Sequence, residues 1–197
     1  MSNSLQNIPK PSTAEVDKYV NNWKSLTNYV EQEKCLDKLF KQMFPDNTDL
    51  QEILIKCSTL NSFYSTNLYS IFLMARHIQN LNIDNDLKTG NYDLVNKIAN
   101  LNIKGKAFKF YAFATKYCSH HNPLKFPIYD HYVGKALSYY LKKDKFCKFA
   151  CKDLKDYDKF VNIINEFIKY YELSAYSIKQ IDQYLWQLGK AYFPKKY

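Results

Sequence analysis

Lys106, Lys109, Phe113, Lys116 and His120 follow one another at steps of three or four residues. On a helix that spacing gathers all five into one arc of roughly 80°, since each residue turns the chain by about 100°. The rest of the circumference is apolar or small: Phe108, Phe110, Tyr111, Ala112, Ala114, Tyr117 and Cys118. A helix that is apolar nearly all round is a buried helix, and lysine is seldom buried without a partner or a purpose. The stripe is therefore either the single wet face of a core helix or the lining of a cleft that takes an anion. In the second case one lysine can act as a nucleophile. An amine crowded by other cations or stripped of water reaches its neutral form more readily and can then form a Schiff base.

The stripe runs into SHHNP at 119–123 and FPIYDHYV at 126–133. Asn122 and Pro123 break the helix, a short extended stretch covers 124–129, and Asp130 stands where the next helix begins. A carboxylate there accepts from unpaired backbone amides and is an ordinary N-cap. Beside such amide donors the carboxylate stays ionised. Adjacent histidines at a helix end point apart, and Cys147 and Cys151 lack a second pair at zinc spacing. Neither a metal nor a cofactor is expected.

These groups need a scaffold, and the pattern predicts helices throughout. Ser12 with Glu15 forms a capping box opening a helix over 12–29. Further helices are expected over 34–44, where Pro45 stops the chain, and over 49–60, 66–81 and 92–101. A short hairpin at 102–105 follows, then helices over 106–120, 130–141, 157–172 and 177–192, with a lysine-rich connector at 142–155. No alternating run is long enough for a sheet, and no internal repeat or flexible linker is visible. The expected class is all-α: a compact bundle of two closely packed helical subdomains with a helix-hairpin-helix element. It forms one unit over 1–197, with N-terminal helices over 1–60, the hairpin and lysine helix over 61–141, and C-terminal helices over 142–197. In a chain with four glycines, Gly105 between Lys104 and Lys106 answers a backbone need such as a tight turn.

Hairpin, lysine-bearing helix, proline-containing loop and helix-starting aspartate together resemble the helix-hairpin-helix DNA glycosylase superfamily, closest to its 8-oxoguanine DNA glycosylase branch. The likeness is carried by residues 109–116 (KFYAFATK) and 126–133 (FPIYDHYV), and spans about 61–189. It implies a lysine near the start of the helix after the hairpin that attacks the anomeric carbon, and an aspartate at the next helix start that activates it. By position Asp130 is that aspartate; Lys109 is the first choice of nucleophile, Lys116 the second and Lys106 the third. The family's hairpin normally carries two glycines, whereas here Gly105 stands without a second. The likeness further implies excision of a damaged or modified base, an 8-oxoguanine-like purine first, with lyase activity if the amine forms the Schiff base. The flipped base needs aromatic walls, for which Phe63, Tyr64, Phe113, His120, His131 and Trp186 are candidates. Lys104, Gly105 and Lys106 would grip a phosphate of the duplex.

The composition agrees with a polyanionic partner. There are 28 basic and 19 acidic side chains, a net charge of +9, which favours nucleic acid first. Eighteen tyrosines and thirteen phenylalanines are either core or stacking platforms. The expected partner is double-stranded DNA, met by a monomer. Five scattered cysteines, a polar stretch at 1–10 and the lack of a long apolar run point to the cytoplasm, and to the nucleoid in a bacterium, with no membrane partner. The alternative is a protein of the same fold that binds nucleic acid without cutting it, for instance in defence against foreign DNA.

Overall fold

The computed structural model describes residues 8–194, so most of the polar stretch at 1–10 lies outside the described residues. The fold is all-α, with one two-stranded hairpin among the described residues. Helix α1 (Thr13–Trp23) starts at Ser12, whose hydroxyl accepts from the Glu15 amide at 3.3 Å. It ends earlier than the expected 12–29 helix. The Ser25 hydroxyl donates to the Asn22 carbonyl at 2.7 Å, and Lys24, Ser25 and Leu26 form tight i to i+3 bonds. A serine that competes for a backbone carbonyl favours such a stop. The chain then restarts as α2 (Thr27–Asp37) and runs through a π-helical turn (Lys38–Met43) up to Pro45.

Asp49 caps α3 (Leu50–Tyr64), accepting from the Glu52 amide at 3.0 Å. The helix expected over 66–81 begins five residues late, as α4 (Ile71–Leu81). Ser65 and Asn67 take left-handed backbone angles. Asn61 holds the intervening loop through Leu68 and Thr66 at 2.7–3.1 Å. A short helix that the sequence did not announce, α5 (Asp84–Thr89), ends at Gly90 with φ +79°. Helix α6 (Asp93–Ala99) leads directly into the hairpin.

That hairpin is longer than the 102–105 turn expected. Strands β1 (Asn100–Ile103) and β2 (Lys106–Lys109) pair antiparallel, Ile103 opposite Lys106 and Asn100 opposite Lys109. The two-residue turn Lys104-Gly105 has both φ values positive, 51° and 79°, the combination whose twist matches that of paired strands. Helix α7 (Tyr111–His121) therefore starts five residues after the expected Lys106. Helices α8 (His131–Lys143), α9 (Tyr157–Tyr170) and α10 (Ile178–Tyr192) complete the chain, with a 3₁₀ turn (Cys151–Lys155) inside the lysine-rich connector.

The chain divides into two compact units that cut across the three expected segments. One is Thr27–Tyr129; the other joins the described parts of Met1–Leu26 and Asp130–Tyr197. In the first, α7 is the central helix, packed on α6, α3 and the π turn. In the second, α10 is central, flanked by α8 and α1. All five cysteines are free thiols. No helix among the described residues is long and apolar enough to cross a membrane.

Candidate functional site

Helix α7 is buried as expected, every side chain from Phe113 to His120 included. The stripe of five is not on it. Lys106 and Lys109 stand exposed on β2, because the extended backbone of the hairpin runs on to Phe110, whose amide donates to the Ala99 carbonyl at 2.8 Å. Phe113, Lys116 and His120 remain on one helical face, and of the three lysines proposed for chemistry Lys116 is the buried one, 2% exposed.

Lys116 sits among polar and aromatic groups of the same unit. Its ammonium lies 3.5 Å from the Tyr129 carbonyl oxygen and 5.2 Å from the centre of the Tyr64 ring. One turn on, His120 meets the Tyr64 hydroxyl through Nε2 at 3.0 Å and packs on Phe40, ring centres 5.4 Å apart. Tyr129 is fixed by the neighbouring Thr115, which accepts from the Tyr129 amide at 3.2 Å, and by the Tyr111 ring at 5.0 Å. The arrangement is a buried amine beside a phenol–imidazole pair, with the Tyr129 backbone held against the same helix. Phe113 packs on Tyr117, and Phe63 is half-buried next to Tyr64.

Lys109 places its ammonium 5.3 Å from the Tyr111 ring, at the surface rather than in a cleft. Lys104 and Lys106 flank the turn and are exposed, but the Gly105 amide donates to Asn102 Oδ1 at 2.9 Å. That amide is spent inside the hairpin, so the expected backbone grip on a phosphate does not include it. Asp130 is the N-cap of α8, Oδ1 accepting from the Tyr132 amide at 2.8 Å. In the same unit, His131 is exposed with its ring on Tyr132. Trp186 meets Trp23, Tyr132 and the Lys190 ammonium.

A second buried lysine escaped sequence reasoning. Lys56 of α3 is wholly buried, and its three protons have three oxygen acceptors: the carbonyls of Phe44 at 3.0 Å and Asp46 at 2.7 Å, and Asn47 Oδ1 at 2.8 Å. Asn47 is held in turn by both carboxylate oxygens of Asp84 at 2.6 and 3.0 Å, and it accepts from the Tyr117 hydroxyl at 2.6 Å. Burial pulls the Lys56 ammonium down to about 8, against the nearby Asp84 charge. Burial, then the Lys56 charge and His120, hold His121 well below the usual imidazole range. Fully satisfied donors make Lys56 a tie between loop and helices. The sequence offered no signal for it, since an isolated lysine on a helix reads as surface.

The residues 15–125 match the family model HI_0787_N, described as an N-terminal domain, and the chain belongs to that family. It is also similar to an uncharacterized protein of Haemophilus influenzae, 44% identical over 151 residues, which cover 76% of this chain and 72% of that protein. No solved structure matches. The matched region contains Tyr64, the hairpin, Lys116 and His120; Asp130, His131 and Trp186 lie beyond it.

Proposed function

We propose that this protein is a DNA N-glycosylase that excises a damaged or modified base, an 8-oxoguanine-like purine in the first instance, with Lys116 as the attacking amine. The observation that carries the reading is the burial of Lys116 beside Tyr64 and His120, on the helix that holds Tyr129. Exposed lysines are solvated cations, whereas a desolvated one next to hydrogen-bonding side chains is suited to nucleophilic work. The resemblance of 109–116 and 126–133 to the glycosylase superfamily supplies the reaction and gives the companion carboxylate to Asp130.

The chemistry balances without a cofactor. The neutral Lys116 amine bonds to C1′ of the deoxyribose as the C1′–N bond breaks. The electron pair leaves on the base, which takes up a proton. Ring opening puts the double bond between Nζ and C1′ and a proton on O4′. Loss of a C2′ proton then expels the 3′ phosphate and cuts the strand. A carboxylate stabilises the oxocarbenium character of the first step, and the Tyr64 hydroxyl with His120 offers a route for the proton.

Borohydride trapping on duplexes carrying 8-oxoguanine, uracil, hypoxanthine, a modified cytosine or an abasic site tests this. A covalent adduct abolished by Lys116→Gln and kept by Lys109→Gln is the expected result. An adduct lost only with Lys109→Gln would move the nucleophile to the hairpin, and base release without an adduct would mean attack by water. The exposed Lys104, Lys106 and Lys109 favour one second reading, a protein of this fold that binds nucleic acid without excision. Salt-sensitive binding with neither adduct nor release would establish it.

A further inference from the structure

The Thr27–Tyr129 unit also carries a cluster of aromatic rings at its surface, Tyr69 exposed and Phe108 and Phe110 half-buried. Tyr69, in the loop before α4, is 63% exposed. Its ring meets Phe108 at 5.5 Å and Phe110 at 5.7 Å, edge-on in both cases, and the two phenylalanine rings lie nearly parallel at 6.2 Å. On the first turn of α4, Phe72 is 50% exposed, with the Arg76 guanidinium 5.7 Å from its ring centre. Helix α4 packs against β1, which brings hairpin and helix to one side of the unit. In β2, Lys106 and Phe108 are two residues apart and share a strand face, with Lys104 at the turn beside them.

The two segments that build this cluster carry charge of one sign. No aspartate or glutamate occurs between Glu52 and Asp84, or between Asp93 and Asp130. Both segments that build the cluster are thus free of carboxylates, while they carry Lys104, Lys106 and Arg76. A protein partner would need the aromatic surface but not a wholly cationic border. Nucleic acid needs both, π-faces for the bases and cations for the phosphates. In a duplex the faces of the bases are already stacked on one another, so rings exposed in this way can be met only by unpaired bases.

We propose that Tyr69, Phe108 and Phe110 form a stacking platform for an unpaired stretch of DNA, with Lys104 and Lys106 holding its phosphates. This rests on the reading of the chain as a DNA-binding protein and not on the excision chemistry. The platform lies on the hairpin and the α4 entry, and it accepts bases without regard to sequence, since every base offers a π-face.

The test is fluorescence anisotropy with labelled oligothymidylate and with a blunt duplex of equal length, over a range of salt. The single strand binds more tightly than the duplex. Tyr69→Ala weakens single-strand binding by about tenfold or more, as loss of a base–aromatic stack does, while Tyr69→Phe restores it and Tyr170→Ala, an exposed ring of the other unit, leaves it unchanged. Lys106→Gln lowers the slope of log affinity against log salt by about one. Tyr69→Trp adds a reporter whose emission is quenched by the oligonucleotide. Unchanged affinity in both Tyr69→Ala and Phe110→Ala would overturn the platform, as would equal affinity for duplex and single strand. Self-association in sedimentation that is lost with Tyr69→Ala would overturn it too, by making a second copy the occupant. Single-strand binding that depends on Tyr69, with no base release from any duplex, keeps the platform and sinks the glycosylase. Borohydride adducts unaffected by a failed platform do the reverse.

Discussion

The Lys56 ammonium and the Asn47 side-chain oxygen meet at 2.8 Å with both residues shut off from water. Asn47 stands in the loop after Pro45, and Lys56 on the second turn of α3, so one contact ties an irregular segment to a regular one. Replacing Lys56 by methionine keeps the volume and strands three oxygen acceptors. Such a change costs about 3 kcal/mol, readable as a shift of the urea midpoint. Asn47→Ala should cost a similar amount, and the double variant less than the two together, because they break one network. Simple additivity would show that the two residues act separately.

Acid should weaken the fold through His121. Its imidazole is held well below the ordinary value of 6.5 by burial first, then by the Lys56 charge. In the unfolded chain it takes up a proton below pH 6.5; in the folded chain it does not. The unfolded state binds more protons there, so this contribution is present above pH 6.5 and is lost progressively as pH falls below it. The slope approaches about 1.4 kcal/mol per pH unit. His121→Gln flattens the fall between pH 6.5 and 5 in melting curves; an unchanged slope would assign acid sensitivity elsewhere.

At Gly189 helix α10 runs hard against the backbone of α8. A Cβ there would collide with the Tyr132 carbonyl, which is backbone and cannot swing aside. Gly189→Ala forces the helices apart and should destabilise the protein by about 3 kcal/mol, as overpacking of a tight core does. A melting temperature equal to the wild type would mean that the helices slide freely at this point.

Lys104 holds a left-handed angle of 51° that a lysine adopts at a cost. Asparagine takes that angle more readily, and Asn-Gly is the preferred pair for this turn. Lys104→Asn should stabilise the hairpin by about 1 kcal/mol while reducing affinity for DNA. Gain of stability with loss of binding separates the residue's two tasks; a loss of both would show that the lysine side chain supports the turn.

Asp130 can be tested as a cap and as a charge separately. Serine also caps helices well, so Asp130→Ser should melt within about 0.5 kcal/mol of the wild type, while Asp130→Ala loses about 1 kcal/mol. Base release should be abolished by both. Excision at the wild-type rate by Asp130→Ser would confine Asp130 to capping.

Four helix starts were legible in the sequence, while those expected at 34, 66 and 106 fall at Thr27, Ile71 and Tyr111. Ser12, Asp49, Asp130 and Ser177 all cap through their side-chain oxygens, because a short polar side chain before an apolar run is a local signal that tertiary contacts rarely overrule. The segment 106–110 was read in the wrong period. Its lysines fit a helical stripe continuing to His120, yet Lys106, Phe108 and Phe110 also recur at every second residue, and the left-handed Lys104-Gly105 turn decides for strands. Lys116 survived as a candidate because its neighbours on α7 were apolar. The ties that bury its surroundings were not legible: Tyr64 to His120 is separated by 56 residues and Tyr117 to Asn47 by 70. Spacing within one element says nothing about such partners. The exposed Tyr69 ring and the half-buried Phe108 ring were hidden for the same reason, since nothing in the sequence joins them until the hairpin meets the entry to α4.

The pairing of α1 with α10 sets an order of events during synthesis. Asn22 bonds Gln187 at 2.9 Å across 165 residues, and Gln187 also donates to the Tyr19 carbonyl at 2.8 Å. The Thr27–Tyr129 unit is contiguous and can close as soon as it leaves the ribosome. Helix α1 precedes the Thr27–Tyr129 unit and its partner α10 follows it, so the side chains of Val16 and Tyr19 stay uncovered until α10 has been made. A long loop closure of this kind slows folding. Until that pairing forms, the apolar face of α1 is an open surface of the kind on which incomplete chains aggregate.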